Sequence, residues 1–384
     1  MPPVKIALGI FSLDPRGGLE DSALRLAGEL SRRGHEPVFF VARAKNPIPF
    51  PTVCLSMNDN AFTNHERMRR FGQNFVEASK RGFDKTVAFQ MMAAVDVLFL
   101  ADPILNRPNL PLWKRLTPRY QTLLRIEANA FGPRSKTVVL CLSSRQLDAA
   151  KSAYPAVKDR ILVLPPTVSR DRVYPDARAS HLRAASRSEL GLPADAKVWL
   201  WLALQPHTKG LDRVIEALAK SHDAHLVVAG LEVSSLKLRP YRATVTRLGL
   251  EHRVHFVGYA SDARLKAVLS ASDVLAHPAR ADVTGGVILE AIVNGLPVVA
   301  TSVCGFSDHI SESGAGVVLQ EPFDRDEFVR ALARLCGIEA ADYCRRGVEY
   351  ADQNLFSGLA RACDIIESTH PNQVTESLGR TECA

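Results

Sequence analysis

The feature that most constrains this chain is a repeated alternation of short apolar runs with longer segments of helical periodicity. Val4 to Phe11 is apolar; after Asp14-Pro15-Arg16-Gly17-Gly18 a helical pattern runs from Leu19 to Arg33 and stops at Gly34, and Pro37 to Ala42 is apolar again. Strand, turn, helix and strand in that order make a βαβ unit, so the sheet is parallel and its crossovers right-handed. The pattern repeats through runs at 53–55, 86–90, 95–100, 137–142 and 161–164, with Ser144 to Ala153 helical. It starts afresh at Val198 to Leu204 and continues through Leu211 to Ser221, His225 to Ala229, Tyr241 to Leu248, Val254 to Val257, Asp262 to Ser270, Val274 to His277 and Val298 to Thr301. Helices from Arg325 to Leu335, Ala340 to Ala351 and Leu355 to Ser368 follow. Between the two series, Pro165-Pro166 and the polar, arginine-rich stretch from Thr167 to Ala185 mark a domain boundary.

The stretch HPARADVTGGVILEAIVNGLPVVATSVCGFSDHI, from His277 to Ile310, carries the most chemistry. A strand stops at Pro278, small and polar residues follow, and an apolar helix begins near Gly286. Glycine lets backbone approach a ligand closely, and the first N–H groups of a helix lack intrahelical partners, so Thr284-Gly285-Gly286 suits an anion. The helix dipole adds only about 0.3–1 kcal/mol for an exposed anion, which assists binding without defining it. Asp282 precedes the helix and Glu290 lies inside it. An ionised carboxylate offers acceptor oxygens and no donor, which suits sugar hydroxyls. A solvated loop Asp and a Glu that falls among Ile288, Leu289, Ala291 and Ile292 is the plainer reading of the same residues.

The acid, the seven residues after it, Glu290 and the following GLPVVAT resemble the donor-site signature of retaining GT-B glycosyltransferases of family four. The closer resemblance is to the lipopolysaccharide core glucosyltransferases that add the first hexose to the inner-core heptose. It runs from about residue 4 to residue 368, with RSELGLPADAKVWLWLAL similar to the helix and strand that open the family's second domain. The resemblance implies an α/β GT-B fold of two Rossmann-like domains facing each other across a cleft: 1–166 on the acceptor side and 167–353 for the nucleotide sugar. A terminal helix, 354–368, returns to the first domain, and 369–384 is a loose tail. It further implies a UDP-sugar donor, glucose before other hexoses, and no metal or other cofactor. Lys209, in the loop Gln205-Pro206-His207-Thr208-Lys209-Gly210, would stabilise the leaving diphosphate together with helix N-termini. Glu290 would hold the ribose and Asp282 the sugar hydroxyls, with Gly285, Gly286 and Val287 along the donor. Retention by same-face attack lets the leaving phosphate take the acceptor's proton. Two departures stand out. The family's first acid is usually Glu, and Asp282 is one methylene shorter; Thr208 stands where Arg commonly accompanies the lysine, with Arg280 a candidate replacement.

In the first domain, Gly17-Gly18 is too short for a dinucleotide fingerprint. By itself it is a tight βα turn, and the resemblance places it at the diphosphate; the acid that the family carries in the next helix is replaced by Ser22. Thr63-Asn64-His65-Glu66-Arg67 recurs in the lipopolysaccharide glucosyltransferases. Thr63 or Asn64 suits a helix N-cap, and Thr63, Asn64, His65 and Arg67 make the candidate acceptor set. Asp102, just past the strand 95–100, matches an acid that faces the reacting sugar. Open α/β sheets take ligands at strand C-terminal ends, which favours Asp102 over Asp96 and gives Asp102, Lys209 and Asp282 as the catalytic set. Cys304 reads as packing, since nothing pairs it with a base.

The chain of 384 residues carries a net charge of +7. Much of that lies in 107–136, where Arg107, Lys114, Arg115, Arg119, Arg125, Arg134 and Lys136 face the single acid Glu127. Trp113, Leu116, Tyr120 and Phe131 are interleaved, as in a basic amphipathic helix lying on an anionic membrane, with Trp113, Lys114, Arg115, Arg119 and Arg125 as its contacts. The resembling family has such a segment here. The expected partners are therefore a UDP-sugar, a lipid-anchored glycan and an anionic membrane surface, without nucleic acid. No apolar run approaches a membrane span. Seven dispersed cysteines without CxxC pairs fit free thiols in a cytoplasmic protein, peripheral to the inner membrane. The alternatives are the same fold with UDP-galactose or another hexose and a different acceptor, a nucleotide-sugar epimerase, or a non-catalytic basic membrane-surface module.

Overall fold

The computed structural model describes residues 2–14, 17–45, 47–56, 63–106, 112–260, 262–337 and 340–370. Arg107 of the basic segment, and the expected tail beyond residue 370, lie outside the described residues. The chain divides into two compact units, Met1–Leu164 with Gly358–Ala384, and Pro165–Ser357.

In the first unit, β1 (Lys5–Gly9), β2 (Ser12–Leu13), α1 (Gly18–Arg32), β3 (Glu36–Val41), β4 (Arg43–Ala44), β5 (Thr52–Cys54), α2 (Asn64–Ser79), β6 (Lys85–Ala88) and β7 (Val97–Leu100) follow in order. Then come α3 (Leu112–Arg115), α4 (Pro118–Ala130), β8 (Val138–Cys141), α5 (Ser144–Ala153) and β9 (Ile161–Val163). Seven strands form one sheet in the order β5-β3-β1-β6-β7-β8-β9, parallel throughout. Parallel strands covered on both faces read as near-continuous apolar runs, which is why the sequence showed them so clearly. Alternate residues feed opposite layers: Ile6, Leu8, Phe39 and Val97 one core, Ala7, Phe40, Leu98 and Val139 the other.

The segment 107–136 is not one helix. Thr117 caps α4, accepting from the Tyr120 N–H, and Pro118 supplies its first turn, so the chain breaks between α3 and α4. A threonine followed by proline starts a helix and does not continue one. Glu127, its only acid, is fully buried and accepts from the Leu105 and Asn106 N–H groups at 2.7 and 3.0 Å and from the Tyr154 hydroxyl at 2.7 Å.

The second unit comprises α6 (Ser180–Glu189), β10 (Lys197–Leu202), α7 (Leu211–Leu218), β11 (Ala224–Ala229), α8 (Arg239–Arg247), β12 (Val254–Gly258), α9 (Asp262–Ala271) and β13 (Val274–His277). It continues with α10 (Gly286–Val293), β14 (Val298–Thr301), α11 (Ser307–Ser313), β15 (Gly316–Leu319), α12 (Arg325–Leu335) and α13 (Ala340–Asn354). Its six parallel strands run β12-β11-β10-β13-β14-β15. Here too the register splits the strands: Val198, Leu200, Leu275 and Val298 face one layer, Trp199, Trp201, Val274 and Val299 the other.

The arginine-rich stretch after Pro165-Pro166 is built into this unit. Arg178 and Arg183 donate to the Ser272 carbonyl, Arg187 donates to the Ala271 carbonyl at 3.1 Å, and Arg183 and Arg187 pair with Asp273. The cations thus satisfy carbonyls left over at the C-terminal end of α9, where the helix dipole favours positive charge.

The final helix, α14 (Gly358–Ser368), belongs to the first unit. It starts later than the expected Leu355, because Leu355 is fully buried in the second unit and its carbonyl accepts from the Val168 N–H at 2.8 Å.

Candidate active site

In the second unit the chain winds outward from β10 through β11 to β12, then crosses to β13 and winds the other way through β14 to β15. The strand order therefore reverses between β10 and β13, and the crevice at the carboxyl ends of such a pair is where open α/β sheets take ligands. The two loops that leave this point carry Lys209 and Asp282.

They are joined backbone to backbone. Gly210 lies at φ +72°, and a Cβ there would sit 2.1 Å from the Pro278 carbonyl oxygen, so only glycine fits. The Trp201 indole donates to the Lys209 carbonyl at 2.9 Å, and the Arg280 N–H donates to the Thr208 carbonyl at 2.8 Å. Thr301 Oγ1 donates to the Ala279 carbonyl from β14. The Arg280 guanidinium donates to the His207 carbonyl and grips both carboxylate oxygens of Asp212 at 2.8 and 2.5 Å. The candidate replacement for the missing arginine is therefore beside the Lys209 loop, with Asp212 as its ionic partner.

Asp282 is the centre of the cluster. Its Oδ2 lies 2.7 Å from Lys209 Nζ and 2.9 Å from His277 Nε2. Burial by itself would raise the pKa of Asp282; the hydrogen bond and charge of His277, with Lys209, outweigh it and hold the acid at about 2. Burial likewise works against a charged His277, but the bond to Asp282 and the neighbouring Cys304 push its pKa up to about 9. The loop beyond is pinned to the one after β14, with the Gly305 N–H donating to the Asp282 carbonyl and the Phe306 N–H to the Thr284 carbonyl at 3.1 and 2.7 Å. Cys304 is fully buried, in keeping with a packing role. His277, Asp282 and Cys304 bring ligand-type atoms within 4.8 Å of one another, the one such trio among the described residues. The cation that Asp282 already holds is the Lys209 ammonium.

Gly285, at φ +89°, caps α10 without a side chain, Gly286 is exposed, and Val287 is half-buried in the first turn. Glu290 stands one turn further in and pairs with Arg172 at 2.7 Å. Asn294 fixes the same corner, donating to the Arg172 and Glu290 carbonyls and accepting from the Tyr174 N–H. Arg172 and His277 were not singled out from the sequence. His277 carried one usable signal, a polar residue ending an apolar strand; Arg172, far away in sequence, carried none.

In the first unit, Gly17 caps α1, its N–H donates to the Asp14 carbonyl at 2.9 Å, and the Glu20 carboxylate folds back against it. Burial, with Asp14 nearby, raises the Glu20 pKa. A carboxylate thus already occupies the mouth of the helix that begins at Gly18. Thr63 is the N-cap of α2 by position, but its hydroxyl faces the His65 ring at 3.2 Å and caps no N–H; Asn64 opens the helix. Glu66 is engaged by Arg69 and Arg70, and Arg67 lies on the same first turn. Asp102 accepts from the Met91 N–H at 2.8 Å, and burial raises its pKa. Asp96 accepts from the Thr86 N–H and hydroxyl, both at 2.7 Å, which explains it as a strand tie. Trp113 and Leu116 are 66% and 74% exposed, and Lys114, Arg119 and Arg125 are exposed beside them, with Arg115 half-buried. Among the described residues no helix is long and apolar enough to cross a membrane.

Comparison with known proteins adds the following. Residues 183–353 match the family described as Glycosyl transferases group 1. The lipopolysaccharide glucosyltransferase WaaG of Escherichia coli K12 is 29% identical over 377 residues, which cover 94% of this chain and 98% of the relative. A crystal structure of WaaG, a glycosyltransferase involved in lipopolysaccharide biosynthesis, matches with a TM-score of 0.85 at 28% identity, covering 94% of this chain and all of that one. Anabaena HepE, solved with UDP and glucose, matches at TM-score 0.74 and 20% identity over 95% of this chain and all of its own, and shares the fold.

Proposed function

The chain carries a Glycosyl transferases group 1 domain over residues 183–353 and has the GT-B fold, and from that premise we propose that it transfers glucose, with retention, from UDP-glucose to an inner-core heptose of lipopolysaccharide. The observation that carries the reading is the match to the E. coli lipopolysaccharide glucosyltransferase over nearly the whole of both chains. The site at the strand reversal agrees with it. Lys209 is a compact charge on a flexible stem, suited to a diphosphate, and Asp282 and Glu290 stand a short helical distance apart as acceptors for sugar and ribose hydroxyls. Gly285, Gly286 and Val287 offer the free N–H groups of a helix start between them. Negative charge develops on the leaving phosphate, and a cation brought to that position stabilises the transition state. The acceptor's proton passes to that phosphate, so no general base is required; Asp102 orients the acceptor side, with Thr63, Asn64, His65 and Arg67 as its contacts. No metal or other cofactor takes part.

The acceptor is lipid-anchored, and the enzyme works peripherally at the cytoplasmic face of the inner membrane. The exposed Trp113 and Leu116 among Lys114, Arg119 and Arg125 support this, each cation contributing on the order of 1 kcal/mol near an anionic surface. Vesicles containing phosphatidylglycerol should retain the protein at low salt and release it at high salt, and vesicles of phosphatidylcholine should not retain it.

The deciding experiment is calorimetric titration of UDP-glucose, UDP-galactose and UDP-N-acetylglucosamine into the wild type and Glu290→Ala, followed by transfer to a core acceptor that lacks the hexose. Preferential glucose binding, lost in the variant, and glucosylation of the heptose are the expected results. Asp282 supports one second reading: an acid one methylene shorter than the family's, held by two cations, selects another hexose. In that case UDP-galactose binds more tightly and glucose is not transferred. Binding of none of the three sinks the donor assignment.

A further inference from the structure

His277 is 1% exposed at the end of a central strand, a position where an aliphatic residue would pack without any polar penalty. Its Nε2 bonds Asp282, and its Nδ1 has no hydrogen-bond partner. The same carboxylate oxygen, Oδ2, also takes Lys209 Nζ. One acid thus serves two cationic groups, and the two differ in freedom. The imidazole is locked inside β13, whereas Lys209 reaches in on a four-carbon stem whose side chain is 19% exposed.

We propose that His277 is a positioning residue, the fixed counter-charge of Asp282, which leaves Lys209 free to turn from Asp282 to the donor's diphosphate. The inference rests on the donor reading of Lys209. If Asp282 relied on Lys209 alone, each arriving diphosphate would strand a carboxylate whose side chain is 9% exposed, and an uncompensated buried charge is strongly disfavoured. With His277 behind it, Asp282 stays ionised and oriented toward the sugar while Lys209 exchanges one anion for another. The groups that face His277 are Asp282 from its own loop, Cys304 from the loop after β14, and Lys209 through Asp282 from the loop after β10. Of these, Asp282 and Cys304 push the imidazole's pKa up to about 9 despite its burial. The exchange requires the cationic form at neutral pH, the direction in which Asp282 and Cys304 push it.

Two measurements on the full chain decide it. The first follows the ring nitrogens of His277 by NMR in wild-type protein labelled with 15N-histidine, with and without UDP. The imidazole should be doubly protonated at pH 7.5 in both states and lose its proton only as pH rises through about 9. A neutral ring at pH 7.5 in protein that binds UDP overturns the proposal and leaves the donor reading intact; failure of the wild type to bind UDP overturns both. The second measures kinetics with UDP-glucose for His277→Gln, whose neutral amide can still donate to Asp282, alongside His277→Ala. In the glutamine variant the donor KM should rise about tenfold for each pKa unit of lost coupling, with kcat falling less, and the wild-type decline in kcat/KM through about pH 9 should disappear. A glutamine variant that keeps both the wild-type KM and the alkaline decline overturns the proposal. The NMR arm needs no variant and decides the matter if either substitution fails to fold.

Discussion

At the scale of single residues, the cluster around Asp282 separates catalytic from structural contributions. Lys209 is partly exposed and held by one ion pair, so Lys209→Met should leave the urea midpoint nearly unchanged while reducing kcat by about a hundredfold, the usual loss when one transition-state donor is removed. His277→Ala has the opposite emphasis. It breaks a buried pair and should cost about 3 kcal/mol in urea unfolding. The pH dependence follows from the two shifts. His277 is raised from 6.5 to about 9, so its contribution is complete below pH 6.5 and is lost as pH rises through 9. Asp282 is lowered from 3.8 to about 2, so its contribution is present above 3.8 and is lost as pH falls through 2. Urea midpoints of the wild type minus those of His277→Ala should therefore be flat from about pH 5 to 6.5 and shrink toward pH 9; a difference that grows with alkalinity would contradict the pair. Gly210→Ala tests the joint between the loops. Positive φ and the Pro278 carbonyl both exclude a methyl group there, so the variant should lose about 1–3 kcal/mol and should lose donor affinity as well, because Lys209 moves with the loop.

At the scale of elements, the legible parts were those whose local signals agree with their tertiary surroundings. The strands Val274–His277 and Val298–Thr301 were bounded correctly from sequence because a buried parallel strand is an uninterrupted apolar run ended by proline or a polar turn. The short helix α11 and the strand β15 were not recognised: neither SDHISES nor GVVL is long enough to show a period. The break between α3 and α4 is written locally in Thr117-Pro118, whereas the basic charge pattern runs through it without interruption. At the site, Lys209, Asp282 and the glycines were legible by motif, whereas Glu290's partner Arg172 lies on a segment that reads as linker and is brought there by folding alone. The last helix shows how long-range charge completes an element. Lys85 Nζ donates to the Ile366 and Glu367 carbonyls, both at 2.6 Å, and Arg33 and His35 bind Glu367 at 3.2 and 3.1 Å. A lysine on a strand is thus the C-cap of α14, supplying donors to carbonyls that helix ends leave unpaired. Lys85→Met removes those donors and keeps the packing. Amide exchange in Ala362–Ile366 should accelerate in that variant with exchange in β10–β13 unchanged; equal acceleration in both would mean that Lys85 supports the fold generally.

At the scale of the whole molecule, each unit has its own parallel sheet with a separate hydrophobic layer on either face. The chain passes from the first unit into the second at Leu164–Pro165 and returns at Ser357–Gly358, so the first unit is assembled from two sequence-distant pieces. That arrangement makes the final helix part of the first unit's core: Ala362, Cys363 and Ile366 are fully buried against residues that include Ile6, Leu8 and Leu30. Ending the chain at Ser357 should therefore destabilise the first unit while leaving the second intact, and two thermal transitions should appear where the upper one keeps its position. The donor gives the complementary handle, because its candidate contacts lie in the second unit, from Lys209 to Glu290, apart from Gly17-Gly18 in the first. A ligand that binds only the folded form stabilises by about 2.7 kcal/mol at a hundred times its Kd. UDP-glucose in the truncated chain should then raise the upper transition alone, with amide protection concentrated at the starts of α7 and α10. If UDP-glucose instead raised the lower transition, the first unit would hold the principal donor contacts, and the assignment of Lys209 and Asp282 to the donor would fall with it.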